Sequence, residues 1–349
     1  MFELTTEAQN EIKKQSKFGI KDEDLKYLVE VVKFLYKKEA KDGNNNVIID
    51  TKTGKPKLVD SLRRSGNPKY THPYNVATYL YNKGYSREYI ITALFHDVLE
   101  DTKYTEEDIR KILQKYVKMY PNAINTDKQE FIDKVINAVN CVTKKGKISR
   151  PNAPKLKLKE KIKFGNIEIE DVTVHELLEK KNVSRIIGDE LKRKSLDFLN
   201  IKSLNEILTY KNQEELNQYL EGLEPVLTDE SLKKLKQYLE DLKDYKAKMP
   251  DYINGIRKSE IARIVKVADR ISNLTDFSPT DNSNWLEKYI RETEEYFLDL
   301  ASGTDLEQDF MDAIRIATQT KEVKKFHEDA NMKAPIDKKD LGELIILDL

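Results

Sequence analysis

Cysteine is almost missing from this chain. Cys141 stands alone among 349 residues, so no disulfide can form within it, and a lone thiol with no histidine near it in sequence reads as a small buried residue rather than a nucleophile. A charge excess is missing as well, since Lys+Arg and Asp+Glu both count 61. That excludes broad electrostatic attraction for nucleic acid and leaves room only for a local basic pocket, so no DNA partner is expected. No apolar run approaches the roughly 18 residues that a bilayer span needs. The opening MFELTTEAQNEIKKQ lacks the charged-then-apolar order of a signal peptide, so a cytoplasmic protein with no membrane partner is expected. Chain breakers are scarce too, at 12 glycines and 10 prolines. With long stretches rich in Leu, Lys and Glu, that scarcity predicts an all-α fold.

What the chain does have is charge, at 35% of residues, beside a hydrophobic fraction of 39% that suffices for a core. Its length suits one large domain or two of ordinary size. Apolar positions at helical spacing run through 23–40, where Leu28, Val31, Val32 and Leu35 share a face. The Gly/Asn/Pro-rich segment KDGNNNVIIDTKTGKPKLVD then breaks the pattern and predicts a loop or small hairpin. Helical spacing returns at 73–83, 87–101 and 105–118, and again at 256–275 and 284–302. The basic, proline-containing VNCVTKKGKISRPNAPKLKLKEKIKF reads as a long loop, 165–250 as a run of Leu/Lys/Glu helices, and the closing DLGELIILDL as a short docking helix or strand.

The residues that invite chemistry sit at the two ends of this map. In ITALFHDVLEDT, a continuous helix with His96 at zero would place Glu100 near about 40°, Asp97 near about 100° and Asp101 near about 140°. Leu94, Val98, Ile91, Phe95 and Leu99 would fill the opposite arc, and Ala93 would leave space within the polar one. Such a polar face is either an ordinary solvated surface or the wall of a metal site. His96 and Asp97 are neighbours and can share one ion only if it lies between their two directions. RIVKVADRISNLTDF is built the same way, with Lys266, Asp269, Asn273 and Asp276 on one face and Ile264, Val267, Ala268, Ile271 and Leu274 on the other. In RRSGNPKYTHPYNVATYL, His72 precedes Pro73, which favours a first helical turn, and Arg63, Arg64, Gly66 and Lys69 form a basic flexible segment suited to a phosphate or a base. A mixed nitrogen and oxygen set of His72, His96, Asp97 and Asp269 suits a divalent first-row ion rather than calcium. The other histidines, His175 and His327, lack such surroundings and read as surface residues.

Three of these stretches resemble motifs of the HD-domain phosphohydrolases, and within them the RelA/SpoT-type (p)ppGpp hydrolases. RRSGNPKYTHP is similar to Arg-x-Ser-Gly-x-Pro-Tyr-x-x-His-Pro, ALFHDVLEDT to Ala-Leu-Leu-His-Asp-x-x-Glu-Asp-Thr, and VKVADRISNLTDF to Val-Lys-Leu-Ala-Asp-Lys/Arg-x-x-Asn-Leu. SPTDNSNWLEKYIRETEEYF further resembles the small, hydrolase-only members. The resemblance covers roughly 25–145 and 255–305. It implies an HD helical bundle over 1–150 and 251–310, a mainly helical insertion over 151–250 and a C-terminal extension over 311–349. It also implies Mn²⁺ held by His72, His96, Asp97 and Asp269, with Glu100 and Asp101 as the acid/base pair. Arg63, Arg64 and Ser65 would contact guanine and ribose, with Lys266 and Asn273 beside the nucleotide. The implied reaction is removal of the 3′-pyrophosphate from ppGpp or pppGpp.

There are departures. Nothing after residue 305 resembles a synthetase domain. The stretch from Asp97 to Asp269 is far longer than in compact hydrolases, and the insertion is a place for a pocket cap, a homo-oligomer contact or a regulator. Lys69 displaces Tyr70 by one position, and Ser272 replaces a bulkier residue. Two alternatives therefore stand beside the alarmone hydrolase: an HD phosphohydrolase acting on another nucleotide or phosphorylated dinucleotide, and a nucleotide sensor without turnover.

Overall fold

The computed structural model describes residues 19–51, 53–63, 66–144, 146, 148, 150–164, 167–174, 177, 213–275 and 283–329. The fold is mainly α-helical, with two small two-stranded sheets. No helix among the described residues is long and apolar enough to cross a membrane. The chain divides into two units, 1–147 with 251–349 and 148–250.

The first unit begins with α1 (Glu23–Leu35), whose acidic first turn suits the positive end of the helix dipole. Leu25, Leu28, Val31, Val32 and Leu35 are buried at helical spacing, so this face is core. A short antiparallel ribbon follows, β1 (Lys37–Glu39) on β2 (Leu58–Asp60), which realises the small hairpin expected around 41–60. Next comes α2 (Thr71–Asn82), with Pro73 in its first turn and Gly84 at φ 81° just beyond its end, where a side chain would be strained. Helix α3 (Arg87–Phe95) is buried continuously from Ile90 to Phe95, as the middle helix of a bundle must be. A one-turn α4 (Val98–Asp101) follows, then α5 (Glu106–Met119), opened by a reciprocal Thr105–Asp108 capping box, and α6 (Lys128–Val142).

The chain re-enters this unit near the end of α8 (Asp229–Arg257) and continues as α9 (Glu260–Thr275), α10 (Ser283–Tyr296), α11 (Leu298–Ala301) and α12 (Glu307–Asp329). Helix α9 packs against α2, α3, α6 and α12 and is buried along most of its length. Residues 311–329, the described part of the expected extension, continue α12, which packs on α9 and α10 and buries Ala313, Ile314 and Ala317. The closing DLGELIILDL lies outside the described residues.

The second unit corrects part of the long loop expected over 139–164. Helix α6 runs on to Val142, and Lys155–Phe164 is a strand, β3, paired antiparallel with β4 (Ile167–Thr173). The reason is the period of two in KLKL. Leu156 and Leu158 are buried while Lys155, Lys157 and Lys159 face out, and Lys161 pairs with Glu170 at 3.2 Å across the ribbon. Helices α7 (Gln213–Leu223) and the first part of α8 supply this unit's apolar residues, including Leu220, Leu223, Leu235 and Leu239. His175 lies outside the described residues.

One polar cluster in the first unit carries a stability prediction. Asp24 of α1 accepts hydrogen bonds from Arg87 Nε at 2.7 Å and Tyr116 Oη at 2.6 Å, joining α1, α3 and α5. Burial pushes the Asp24 carboxyl up, but the Arg87 and Tyr116 hydrogen bonds and the guanidinium charge outweigh it and hold it below 3.8. The cluster's contribution is therefore fully present above the ordinary carboxylate range and is lost as pH falls through the depressed value. Arg87→Met should cost about 2 kcal/mol in urea unfolding at neutral pH, because a buried carboxylate loses its partner, and the deficit should shrink in acid. An unchanged unfolding midpoint would show that the cluster contributes nothing.

Candidate metal centre and active site

Three helices distant in sequence bring their polar residues to one point. His72 sits in the first turn of α2, His96 and Asp97 lie between α3 and α4, and Asp269 lies in the middle of α9. His72 Nε2 is 2.9 Å from Asp269 Oδ1, and His96 Nε2 is 3.6 Å from the same oxygen. One ligand atom each from His72, His96 and Asp269 falls within a mutual 4.8 Å. Asp97 stands outside that trio, but its Oδ2 lies 3.2 Å from His96 Nε2 and 3.7 Å from His72 Nε2. The imidazoles meet edge to face with ring centroids 5.2 Å apart.

The meeting depends on a break that periodicity does not foretell. A continuous helix would splay His96 and Asp97 by about 100°. Instead α3 ends at Phe95, Asp97 adopts φ −101° and ψ −2°, and α4 starts at Val98. The bend turns both neighbouring side chains toward His72, while Leu94, Phe95 and Val98 stay fully buried on the other side.

Each member is held from behind. The Ala93 carbonyl lies 2.7 Å from His96 Nδ1 and can only accept, so Nε2 is the nitrogen left to face the centre. That Nε2 is buried with no hydrogen-bond partner. Asp269 Oδ1 accepts from Asn273 Nδ2 at 2.7 Å, and its Oδ2 lies 2.7 Å from Lys266 Nζ. Lys266 and Asn273, expected beside a nucleotide, are thus engaged with Asp269. Lys266 stays charged despite its burial because of the Asp269 carboxylate.

The electrostatics are those of a place short of positive charge. Burial works against the His96 imidazolium, yet Asp97 and Asp269 raise its pKa well above the usual imidazole value. Burial likewise opposes both carboxylates, but His96 beside Asp97, and Lys266 beside Asp269, hold them below the ordinary range. Two acids sharing a pocket with two imidazoles, one presenting an orphan nitrogen, is a donor set that a divalent first-row cation fits.

The acid pair stands at the rim on α4. The Glu100 residue is exposed, but its carboxylate lies against Lys144, and loss of water pushes its pKa up. Glu100 Oε1 accepts the Lys144 backbone N–H at 2.6 Å, and Asp101 Oδ2 receives Lys69 Nζ at 3.2 Å. Of the basic segment, Arg63 is half-buried and donates its backbone N–H to the Asn67 carbonyl at 2.8 Å. Arg64, Ser65 and Asp276 lie outside the described residues. Cys141 is half-buried in α6.

Residues that sequence reasoning passed over also border the site. Lys144 follows α6 inside the stretch read as a loop, and Tyr252 donates its hydroxyl to the Val142 carbonyl at 2.6 Å. Arg270 is fully buried, pairs with Glu292 and lies over Phe297 at 3.8 Å and Tyr289 at 4.5 Å, tying α9 to α10. The signal for Arg270 was its place beside Asp269, on what otherwise reads as a solvated charge pair.

Comparison with known proteins finds short matches. The chain is 38% identical over 94 residues to a guanosine-3′,5′-bis(diphosphate) 3′-pyrophosphohydrolase of Aquifex aeolicus, covering 27% of this chain and 11% of that one. It is 38% identical over 73 residues to the bifunctional (p)ppGpp synthase/hydrolase SpoT of Escherichia coli, covering 21% and 10%. Over 86 residues it is 36% identical to a probable GTP pyrophosphokinase of Mycobacterium leprae, covering 25% and 9%. The chain therefore spans about a tenth of the length of these curated relatives. No family model matches it, and no solved structure does. The matches support a relationship to the RelA/SpoT-type enzymes.

Proposed function

We propose that this chain is a metal-dependent phosphohydrolase that removes the 3′-pyrophosphate from the guanosine alarmones ppGpp and pppGpp. The observation that carries the reading is the meeting of His72, His96 and Asp269 within 4.8 Å, with Asp97 beside them and Glu100 and Asp101 on the adjoining turn. The names of the similar proteins supply the substrate class, since two of the three reported above are named as (p)ppGpp hydrolases.

In this reading His72, His96, Asp97 and Asp269 hold Mn²⁺. Bound there, the ion supplies a Lewis acid for a phosphoryl oxygen and brings a water's pKa down toward about 7. The chain's own groups do the rest. Asn273 and Lys266 fix the Asp269 carboxylate, and Ala93 fixes the His96 ring. Glu100, whose carboxyl pKa is raised by loss of water, exchanges the proton of the attacking water, and Asp101, steadied by Lys69, completes the acid/base pair. Arg63, Arg64 and Ser65 bind the guanosine end.

The test is direct. Purified protein incubated with ppGpp and Mn²⁺ should release pyrophosphate and leave guanosine 5′-diphosphate, and a chelator should stop it. Absence of pyrophosphate release, with turnover of another nucleotide, would move the substrate assignment and leave the metal centre in place.

A further inference from the structure

Three cations lie near the inner side of Glu100, and two already have partners. Lys266 is paired with Asp269 and Arg270 with Glu292. Lys144 differs. Among the described residues no carboxylate stands in ion-pair range of its ammonium, which lies instead over the Tyr252 ring, 5.9 Å from the centroid. Its backbone is pinned on both sides. Thr143 bonds back into α6 through both its N–H and its hydroxyl, Tyr252 holds the Val142 carbonyl, and the Lys144 N–H is donated to Glu100. Desolvation, with the like charges of Lys266 and Arg270, outweighs the Glu292 and Glu100 carboxylates and pushes the ammonium down to about 8.

A desolvated ammonium whose neighbouring carboxylates, Glu100 and Glu292, stand outside ion-pair range is costly, and a helix end could place a neutral side chain there without loss. Such a cost is retained where a ligand supplies the missing charge. The ligand must bring an anion to the Glu100 side of the centre, which is where a phosphoryl group would sit when its bridging oxygen takes up a proton from that carboxyl. We infer that Lys144 is a phosphate-binding residue of this site, its ammonium taking an oxygen of the substrate's diphosphate group. The inference rests on the phosphohydrolase reading above and adds to it a residue that binds the diphosphate group as water takes it up.

Lys144→Met and Lys144→Arg test it in the full chain with Mn²⁺ present, with inorganic phosphate as the calorimetric probe and ppGpp as the kinetic one. Lys144→Met should weaken phosphate binding and raise KM by about tenfold each, the loss of one charge-assisted hydrogen bond. Its metal content should match the parent, and its melting temperature should not fall, because an uncompensated charge has been removed. Lys144→Arg should keep both affinities. Above about pH 8 the parent should lose phosphate affinity while the arginine variant keeps it. Glu100, Tyr252, Lys266, Arg270 and Glu292 all face this position and are common to both proteins, so the difference reports on residue 144. Phosphate binding and KM unchanged in Lys144→Met, or the same loss in Lys144→Arg, would overturn the inference, as would loss of metal. If the parent fails to hydrolyse ppGpp, the substrate reading fails, and the phosphate titration still decides the role of Lys144.

Discussion

His96→Ala should lose its metal and its activity together. Metal analysis after gel filtration should fall to background, and pyrophosphate release from ppGpp should drop by at least ~10³-fold, the equivalent of about 4 kcal/mol of barrier. The size follows from how much converges on one nitrogen. His96 Nε2 is buried, faces Asp97 at 3.2 Å and Asp269 at 3.6 Å, and is aimed by the Ala93 carbonyl behind the ring. Alanine removes a nitrogen donor and leaves two acids without the imidazole between them. His72 remains, but one imidazole, 3.7 Å from Asp97 and 2.9 Å from Asp269, cannot close the set. Far-ultraviolet circular dichroism should stay that of the parent, since Leu94, Phe95 and Val98 still anchor the bend. A variant that keeps both manganese and turnover would remove this residue from the centre.

Much of this centre was legible before any coordinates. His72, His96 and Asp269 each stand on a segment with an apolar back, and the structure brings their ligand atoms together. The helix break between Phe95 and Val98 was not legible. Every residue across it is compatible with a helix, and the bend is set by the packing of α3 and by the side chains that Asp97 must reach. For the same reason Lys266 and Asn273 were read as facing a ligand. One turn either side of Asp269 in sequence, both engage its carboxylate, a contact that only side-chain geometry reveals.

The misreading of the strand within 139–164 has a different cause. The segment's two prolines and its positive charge point to a loop, yet from Lys155 to Phe164 lysine alternates with an apolar residue at every pair but Glu160, and alternation outweighs composition once a partner strand is present. That reading also passed over Lys144, which follows α6 just beyond its C-cap Thr143. Helical length was better served. The spacing in 105–118 and 256–275 is realised as α5 and α9, because a buried stripe on a helix leaves its mark wherever the core is one-sided.

Glu100→Gln should separate chemistry from architecture. Glutamine has nearly the volume of glutamate, and its amide oxygen can accept the Lys144 N–H that Glu100 Oε1 accepts at 2.6 Å, so α4 and the end of α6 stay joined. Glu100 lies outside the trio of His72, His96 and Asp269, so manganese content should equal that of the parent. What the amide cannot do is exchange a proton, and kcat should fall by about 10²–10⁴-fold with little change in KM. The pH profile gives a second reading. Loss of water around the Glu100 carboxylate raises its pKa, so the parent's acid limb should lie above the ordinary glutamate range and should vanish in whatever activity the glutamine variant retains. Asp101 sits on the next residue, tied to Lys69, and Asp101→Asn in parallel shows which carboxylate owns that limb. A fully active Glu100→Gln protein with an unshifted profile would hand the proton to Asp101 and reduce Glu100 to a clamp for Lys144.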